Sequence, residues 1–243
     1  MALGRFTGVG IGPGDPELLT LKAQKALSSA QVIFVPKAKI SDEGLALQIL
    51  MNSVVAKTGA EVVELVFPMS KDPEVLRPAW EEALEAVLAQ LRAGKNCAFI
   101  TLGDTAIYST YMNLLALLRR DEPGLAMQTV AGISAFSEAA ARLNLSLVEK
   151  DETMAVLPCL TDVRKLKPEL ERFDTVVLMK VGKRFADLRE LLKQMGLLQH
   201  SHLALKLGSP GELVTSDLEA VDPALVTYMS VVIVRKPPSG SYT

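Results

Sequence analysis

Glycines stand at positions 8, 10, 12 and 14 in the run GVGIGPGD, directly after an apolar stretch and before a helix-type one. Glycine permits positive φ and close backbone approach, two properties a loop needs to wrap a nucleotide-like ligand. The spacing rejects a dinucleotide-binding loop. Counting from Gly8 or Gly10, the third required glycine falls on Pro13 or Asp15, and the second strand ends Val35-Pro36-Lys37 with no acid to hold a ribose. No Gly-Lys-Ser/Thr follows, so it is not a P-loop either. The alternative is a tight strand-to-helix turn stiffened by Pro13, and the loop alone does not exclude it.

Two further junctions repeat the pattern. In LGDTAIYST, a strand hands over at Gly103-Asp104 to a hydroxyl-rich turn that includes Tyr108, Ser109 and Thr110. Asp104 is suited to accept from a hydroxyl or amine of a ligand, or to cap the coming helix. In TVAGISAF, a strand leads through Gly132 to Ser134 and Ala135. Parallel α/β sheets bind ligands at the carboxyl edge of their strands, so three such junctions would line one cleft.

The elements that must position these residues alternate. RFTGVGIG reads as a first strand; Asp15 to Ala30 reads as a helix with Asp15 as N-cap and Pro16 as N1, and with Leu18, Leu21, Ala26 and Leu27 on one face. QVIFVP is a strand ended by Pro36, EGLALQILMNSVVAKTG a helix stopped by Gly59, and VVELVFP a strand. PEVLRPAWEEALEAVLAQLRAG is a long helix closed at Gly94 and interrupted by Pro78; NCAFITLGD is a strand, and a helix over Ile107 to Arg120 follows. DEPG at 121–124 is the linker candidate. Beyond it, LAMQTVAG, TMAVLPC, DTVVLMKVG, HLALKLG and YMSVVIVRKPP read as strands, and SAFSEAAARLNL and ADLRELLKQMG as helices; the tail PPSGSYT reads as loose. The fold class is α/β, in two α/β domains: a mainly parallel one over 1–120, and a second over 121–243 with a mixed sheet.

Composition bounds the function. A chain of 243 residues that is 49% hydrophobic builds a real core, and 5% aromatic makes that core aliphatic. A net charge of -2 from 26 basic and 28 acidic residues gives no bulk field for nucleic acid or an anionic membrane. Cys97 and Cys159, the only cysteines, make neither a disulfide framework nor a four-thiolate zinc site. His200 and His202 form a His-x-His pair with no third ligand suggested nearby, so no protein-bound metal is expected. No leader or membrane span is visible, which makes a cytoplasmic protein the expectation.

The residues at the three junctions carry a resemblance. GVGIGPGDPELLT, GDTAIYST, VAGISAFSEAAARLNL and TVVLMKVGKRFADLRELL, in that order, resemble segments of the tetrapyrrole (corrin/porphyrin) methylases, which methylate with S-adenosyl-L-methionine. Thr105 and Ala131 stand where that family usually has proline. Tyr-Ser-Thr ending at Thr110 and the early QVIFVPKA are similar to the members that methylate carbon 20 of precorrin-2 or cobalt-factor II.

The resemblance implies the tetrapyrrole methylase fold, an active-site cleft between the two domains, and methyl transfer to carbon 20 in cobalamin biosynthesis. Methylation of another tetrapyrrole carbon, or of a protein as in diphthamide synthesis, are its alternatives; a non-catalytic binding protein and a structural α/β protein are the rivals outside it. It implies cofactor contacts from Pro13, Gly103, Asp104, Ile107, Ser134 and Ala135, from Met179 or Lys180, and from Gly208 and Met229. No catalytic side chain is required. An anionic tetrapyrrole needs cations, and Lys37 and Lys39 after the second strand are the substrate-side candidates, with Lys71 and Arg77 as helpers. Tyr108 and Tyr111 would pack on the macrocycle or fill core space. Homodimerisation is also implied, with the apolar helices around Leu114–Leu118 and Leu188–Leu192 serving either an interface or a sheet.

Overall fold

The computed structural model describes residues 2–38, 44–53, 59–70, 72–159 and 161–237. The chain forms two compact units, Met1–Ser134 and Ala135–Thr243.

The first unit is built on five strands, β1 (Phe6–Gly10), β2 (Val32–Lys37), β3 (Glu61–Val66), β4 (Cys97–Thr101) and β5 (Met127–Val130), in the order β3-β2-β4-β1-β5. Every pairing is parallel. β1 and β4 are buried at every position, as strands covered on both faces must be. Side-chain alternation divides the core. Phe6, Phe34, Cys97 and Phe99 face one layer with α3 (Pro73–Arg92) and α4 (Thr110–Asp121). Val9, Ile33, Val35, Ala98 and Ile100 face the other with α1 (Leu21–Ser28) and α2 (Leu45–Asn52).

The second unit runs α5 (Ala135–Arg142), β6 (Met154–Pro158), α6 (Lys167–Arg172), β7 (Thr175–Met179), α7 (Phe185–Gln194), β8 (Ser201–Leu205), β9 (Leu213–Thr215) and β10 (Ser230–Arg235). Its sheet order is β6-β7-β10-β8-β9. β6 and β7 are parallel, while β10 is antiparallel to both β7 and β8. Val232 and Val234 of β10 pack toward Leu188 and Leu192 of α7; Val231 and Ile233 pack toward Ala139 of α5.

Several elements differ from the sequence reading. Asp15 caps only a short 3-10 turn, Pro16–Leu18; Thr20 then accepts from Ala23 N–H and starts α1 afresh. The predicted face shifts in consequence: Leu19, Ala23 and Leu27 are buried, whereas Leu21 is 74% exposed. Pro36 does not end β2, because the strand continues to Lys37 beside β3. Pro78 lies inside a continuous α3 of 20 residues, as its sixth residue, where it removes one intrahelical donor without ending the helix. Gly94 does close that helix, in left-handed conformation with φ 78°. The helix after Asp104 begins at Thr110, since Asp104–Tyr108 is spent on a loop. Sequence reading missed α6 and β9, both short.

β5 pairs with β1, so the segment beginning at Leu125 belongs to the first sheet and the unit boundary falls after Ser134, past the DEPG segment. Leu114, Leu115, Leu118, Leu188 and Leu192 are buried within their own units, so these helix faces cover sheets. α2 ends at Asn52 with Ser53 as its extended C-cap, short of the predicted stop at Gly59; residues 54–58 of that predicted helix and the tail from Pro238 lie outside the described residues.

Candidate active site

In the first unit, parallel pairing of Gly10 with Thr101 and of Val9 with Val130 brings the carboxyl ends of β1, β4 and β5 to one edge. The three glycine junctions meet there. Gly12 and Gly103 exchange two backbone hydrogen bonds, of 3.2 and 2.7 Å. A Cβ on Gly10 would stand 2.6 Å from Gly132 N and 2.8 Å from Gly103 O, and one on Gly132 would strike Gly103 O. These glycines are thus required by the approach of three chain segments to one another. Gly12 and Gly103 also hold φ of 80° and 66°.

Asp104 joins two of the junctions. Its Oδ1 accepts from Ala106 N–H at 2.8 Å, and its Oδ2 accepts from Gly132 N–H at 2.8 Å. The carboxylate therefore ties the loop after β4 to the loop after β5. Each oxygen keeps a second lone pair for a ligand donor. Pro13, Gly103 and Ser134 are buried, while Asp104 and Ile107 are half-buried along the same edge. Thr105 is buried and Ala131 exposed.

Tyr111 does not face a ligand. It is 0% exposed, and its ring lies where a Cβ of Gly8 would be. Its hydroxyl bonds Thr129 Oγ1 at 2.7 Å, and burial pushes its pKa up. Of its two readings, core filling is the correct one. Tyr108, by contrast, is 44% exposed and held at φ 50°, a left-handed conformation uncommon for a tyrosine. Ser109 follows as the N-cap of α4, accepting from Tyr111 N–H while donating to Thr101 Oγ1 at 3.1 Å.

Of the two substrate-side lysines, Lys37 is paired with a carboxylate. Lys37 Nζ sits 2.6 Å from Glu64 Oε2, and its side chain is only 9% exposed. The adjacent strand neutralises the charge that the sequence reading offered to a substrate. Lys39 and Lys71 lie outside the described residues. Arg77 pairs with Glu74 at 2.8 Å on the exposed face of α3.

In the second unit, β6, β7 and β8 run the same way, so their carboxyl ends share an edge with the start of β10. Met179, Lys180, Gly208 and Met229 all lie there; Met229 C=O accepts from Lys206 N–H at 3.2 Å. The structure separates the two adjacent adenine candidates. Met179 packs in the cluster that contains Ala135, Leu207 and Val231. Lys180, left-handed at φ 60°, places its Nζ 5.6 Å from the Tyr228 ring centroid and lines a separate cavity. Gly208, with φ 66°, donates its N–H to Glu212 Oε2 at 2.6 Å. Sequence reading missed Tyr228, and also the 3-10 turn Gly182–Arg184 that precedes α7. The Lys-Arg dipeptide inside that turn was the available signal.

His202 on β8 bonds Ser216 Oγ at 2.7 Å, and its neighbour His200 lies in a short turn before the strand. Among the described residues no group of three or more His, Cys, Asp or Glu side chains is placed to hold a metal ion. Burial pushes both the Cys97 and the Cys159 thiols up to about 11. Among the described residues no helix is long and apolar enough to cross a membrane.

A family model described as Tetrapyrrole (Corrin/Porphyrin) Methylases matches residues 5–222. The chain is similar to the cobalt-precorrin-2 C(20)-methyltransferase of Salmonella typhimurium, at 33% identity over 234 residues covering 96% of this chain and 97% of that one. It is 42% identical over 173 residues to the probable cobalt-precorrin-2 C(20)-methyltransferase of Methanocaldococcus jannaschii, covering 71% and 70% of the two chains. Among solved structures it resembles the uroporphyrin-III C-methyl transferase from Thermus thermophilus complexed with S-adenyl homocysteine. The TM-score is 0.65 at 22% identity, over 96% of this chain and 97% of that one, a likeness of fold.

Proposed function

The chain belongs to the tetrapyrrole (corrin/porphyrin) methylases, and from that premise we propose that it transfers a methyl group to carbon 20 of cobalt-factor II or precorrin-2. It is an S-adenosyl-L-methionine-dependent methyltransferase acting on a tetrapyrrole intermediate of cobalamin biosynthesis. The observation that carries the choice of carbon 20 is the near full-length likeness to a relative whose name specifies that carbon.

The cofactor supplies a methyl group on a sulfonium, already a strong electrophile. The chain's own task is to hold, align and dry the reactants, contributions that make up most of what an in-line displacement needs. In the first unit, Pro13, Gly103, Asp104, Ile107 and Ser134 supply backbone amides, one carboxylate and apolar surface at a single sheet edge, a set that fits an amino-acid head and ribose hydroxyls. In the second unit, Ala135, Met179, Gly208 and Met229 supply the apolar surface and backbone groups that suit an adenine. Met179 takes this role in preference to Lys180 because it shares a cluster with Ala135 and Leu207. Tyr108, partly exposed at the sheet edge of the first unit, is an aromatic side chain suited to pack on a macrocycle. Any cobalt belongs to the substrate. The resemblance to the family also supports a homodimer, which light scattering would show as twice the chain mass.

The test is incubation with methyl-labelled S-adenosyl-L-methionine and, separately, metal-free precorrin-2 and cobalt-factor II. Mass spectrometry and NMR then locate the new methyl. Label on carbon 20 is the expected result, and the better substrate decides whether the acceptor carries cobalt. Label on another carbon, or cofactor binding without transfer, overturns the assignment.

A further inference from the structure

At the edge where β6 and β7 end, the second unit encloses a cavity of about 640 Å³. Pro158, Thr161 and Tyr228 are among its lining residues. Among the described residues three cations line it, Lys180, Lys183 and Arg184, and no aspartate or glutamate. In a chain with more acidic than basic residues, three positive charges among the described lining residues of one concavity are a local reversal of sign.

The placement of the cations is built into the backbone. Lys180 is left-handed, which turns the chain sharply at the end of β7. Gly182 follows at φ 45°, and a Cβ there would lie 3.5 Å from Tyr228 N, so the turn passes close under the Tyr228 segment. Lys183 and Arg184 then close the 3-10 turn that opens α7, whose ten residues aim the positive end of their dipole the same way. Arg142, Arg164 and Arg235 elsewhere in this unit are paired with carboxylates, whereas among the described residues neither Lys183 nor Arg184 forms an ion pair. The charges of Arg184 and of Asp187 both reach the thiol of Cys159, another lining residue, so one carboxylate stands near the cavity without lining it.

We propose that this cavity binds carboxylate arms of the tetrapyrrole substrate through Lys180, Lys183 and Arg184, the role that the sequence reading gave to Lys37 and Lys39. The inference rests on the tetrapyrrole reading of the substrate but not on which carbon is methylated. A planar guanidinium suits bidentate carboxylate recognition, and the two ammonium groups add point charges on either side.

The test compares the wild type with Lys183→Gln/Arg184→Gln in the full chain. Binding of uroporphyrin III, an octacarboxylate porphyrin, is followed by its fluorescence; binding of S-adenosyl-homocysteine is followed by calorimetry. Losing two charge-assisted contacts is expected to weaken porphyrin binding at least about tenfold while cofactor affinity stays within about twofold. The salt dependence of porphyrin binding should flatten as well, and Lys183→Arg/Arg184→Lys should restore most of the affinity. Unchanged porphyrin binding overturns the proposal, as does parallel loss of both ligands or a wild type that binds no porphyrin. A methyl found on a carbon other than 20 overturns the carbon-20 assignment alone and leaves this inference standing.

Discussion

Gly8 and Asp104 owe their identities to neighbours far along the chain. The Tyr111 ring occupies the space of a Gly8 side chain, so Gly8→Ala forces a displacement in a packed core. Overpacking of this kind costs about 1–3 kcal/mol, and urea denaturation of Gly8→Ala should show a loss in that range. Asp104 accepts from two backbone N–H groups on different loops. Asp104→Ala frees both and should weaken S-adenosyl-homocysteine binding at least about tenfold in calorimetry, since each unmet donor costs about 1–3 kcal/mol. Retention of full affinity would show that the loops hold their shape without it. The glycines and Asp104 were legible as candidates because their types are unusual at strand ends. Their partners were not, because pairing of 8 with 111 and of 104 with 132 is a property of strand order.

Elements carry the next set of expectations. Ser109 caps α4 and also bonds Thr101 at the end of β4, coupling the helix start to the sheet edge. Ser109→Ala should cost about 1 kcal/mol, the ordinary value of a lost N-cap, measured by thermal or urea unfolding. On β8, burial first and then His200 hold the His202 imidazole below its ordinary value of 6.5. A depressed histidine pKa means that the native state binds fewer protons than the unfolded chain. Its stability contribution is therefore complete above about pH 6.5 and declines as pH falls toward the native value. The melting temperature should drop more between pH 7 and pH 5 in the wild type than in His202→Asn; identical slopes would remove His202 from the acid response. Strand and helix order were largely visible in the apolar periodicity. Boundaries near Pro16, Pro36 and Pro78 were misjudged, because proline's meaning depends on whether its missing N–H had a partner to lose.

For the whole molecule, both thiols lie inside cores, one in each unit, with pKa values raised to about 11. A thiol reagent at pH 8 should therefore leave Cys97 unlabelled in the native protein and label it in denaturant; rapid native labelling of Cys97 would mean that the first unit opens locally, whereas Cys159 also lines a cavity. The α/β class and the parallel first sheet followed from the sequence, because continuous apolar strands alternating with amphipathic helices have few ways to bury both faces. The family resemblance rested on short segments around glycine junctions, whose spacing survives where other side chains change. What only the tertiary structure decided was direction and company. It sent Met179 to one cluster and Lys180 to a cavity, put Tyr111 in the core, and set Lys37 against Glu64. Lys180 leaves the strand that Met179 ends through a left-handed turn, and a charge is available only if no partner arrives from another strand. Both depend on contacts between segments distant in sequence, which one-dimensional spacing does not contain.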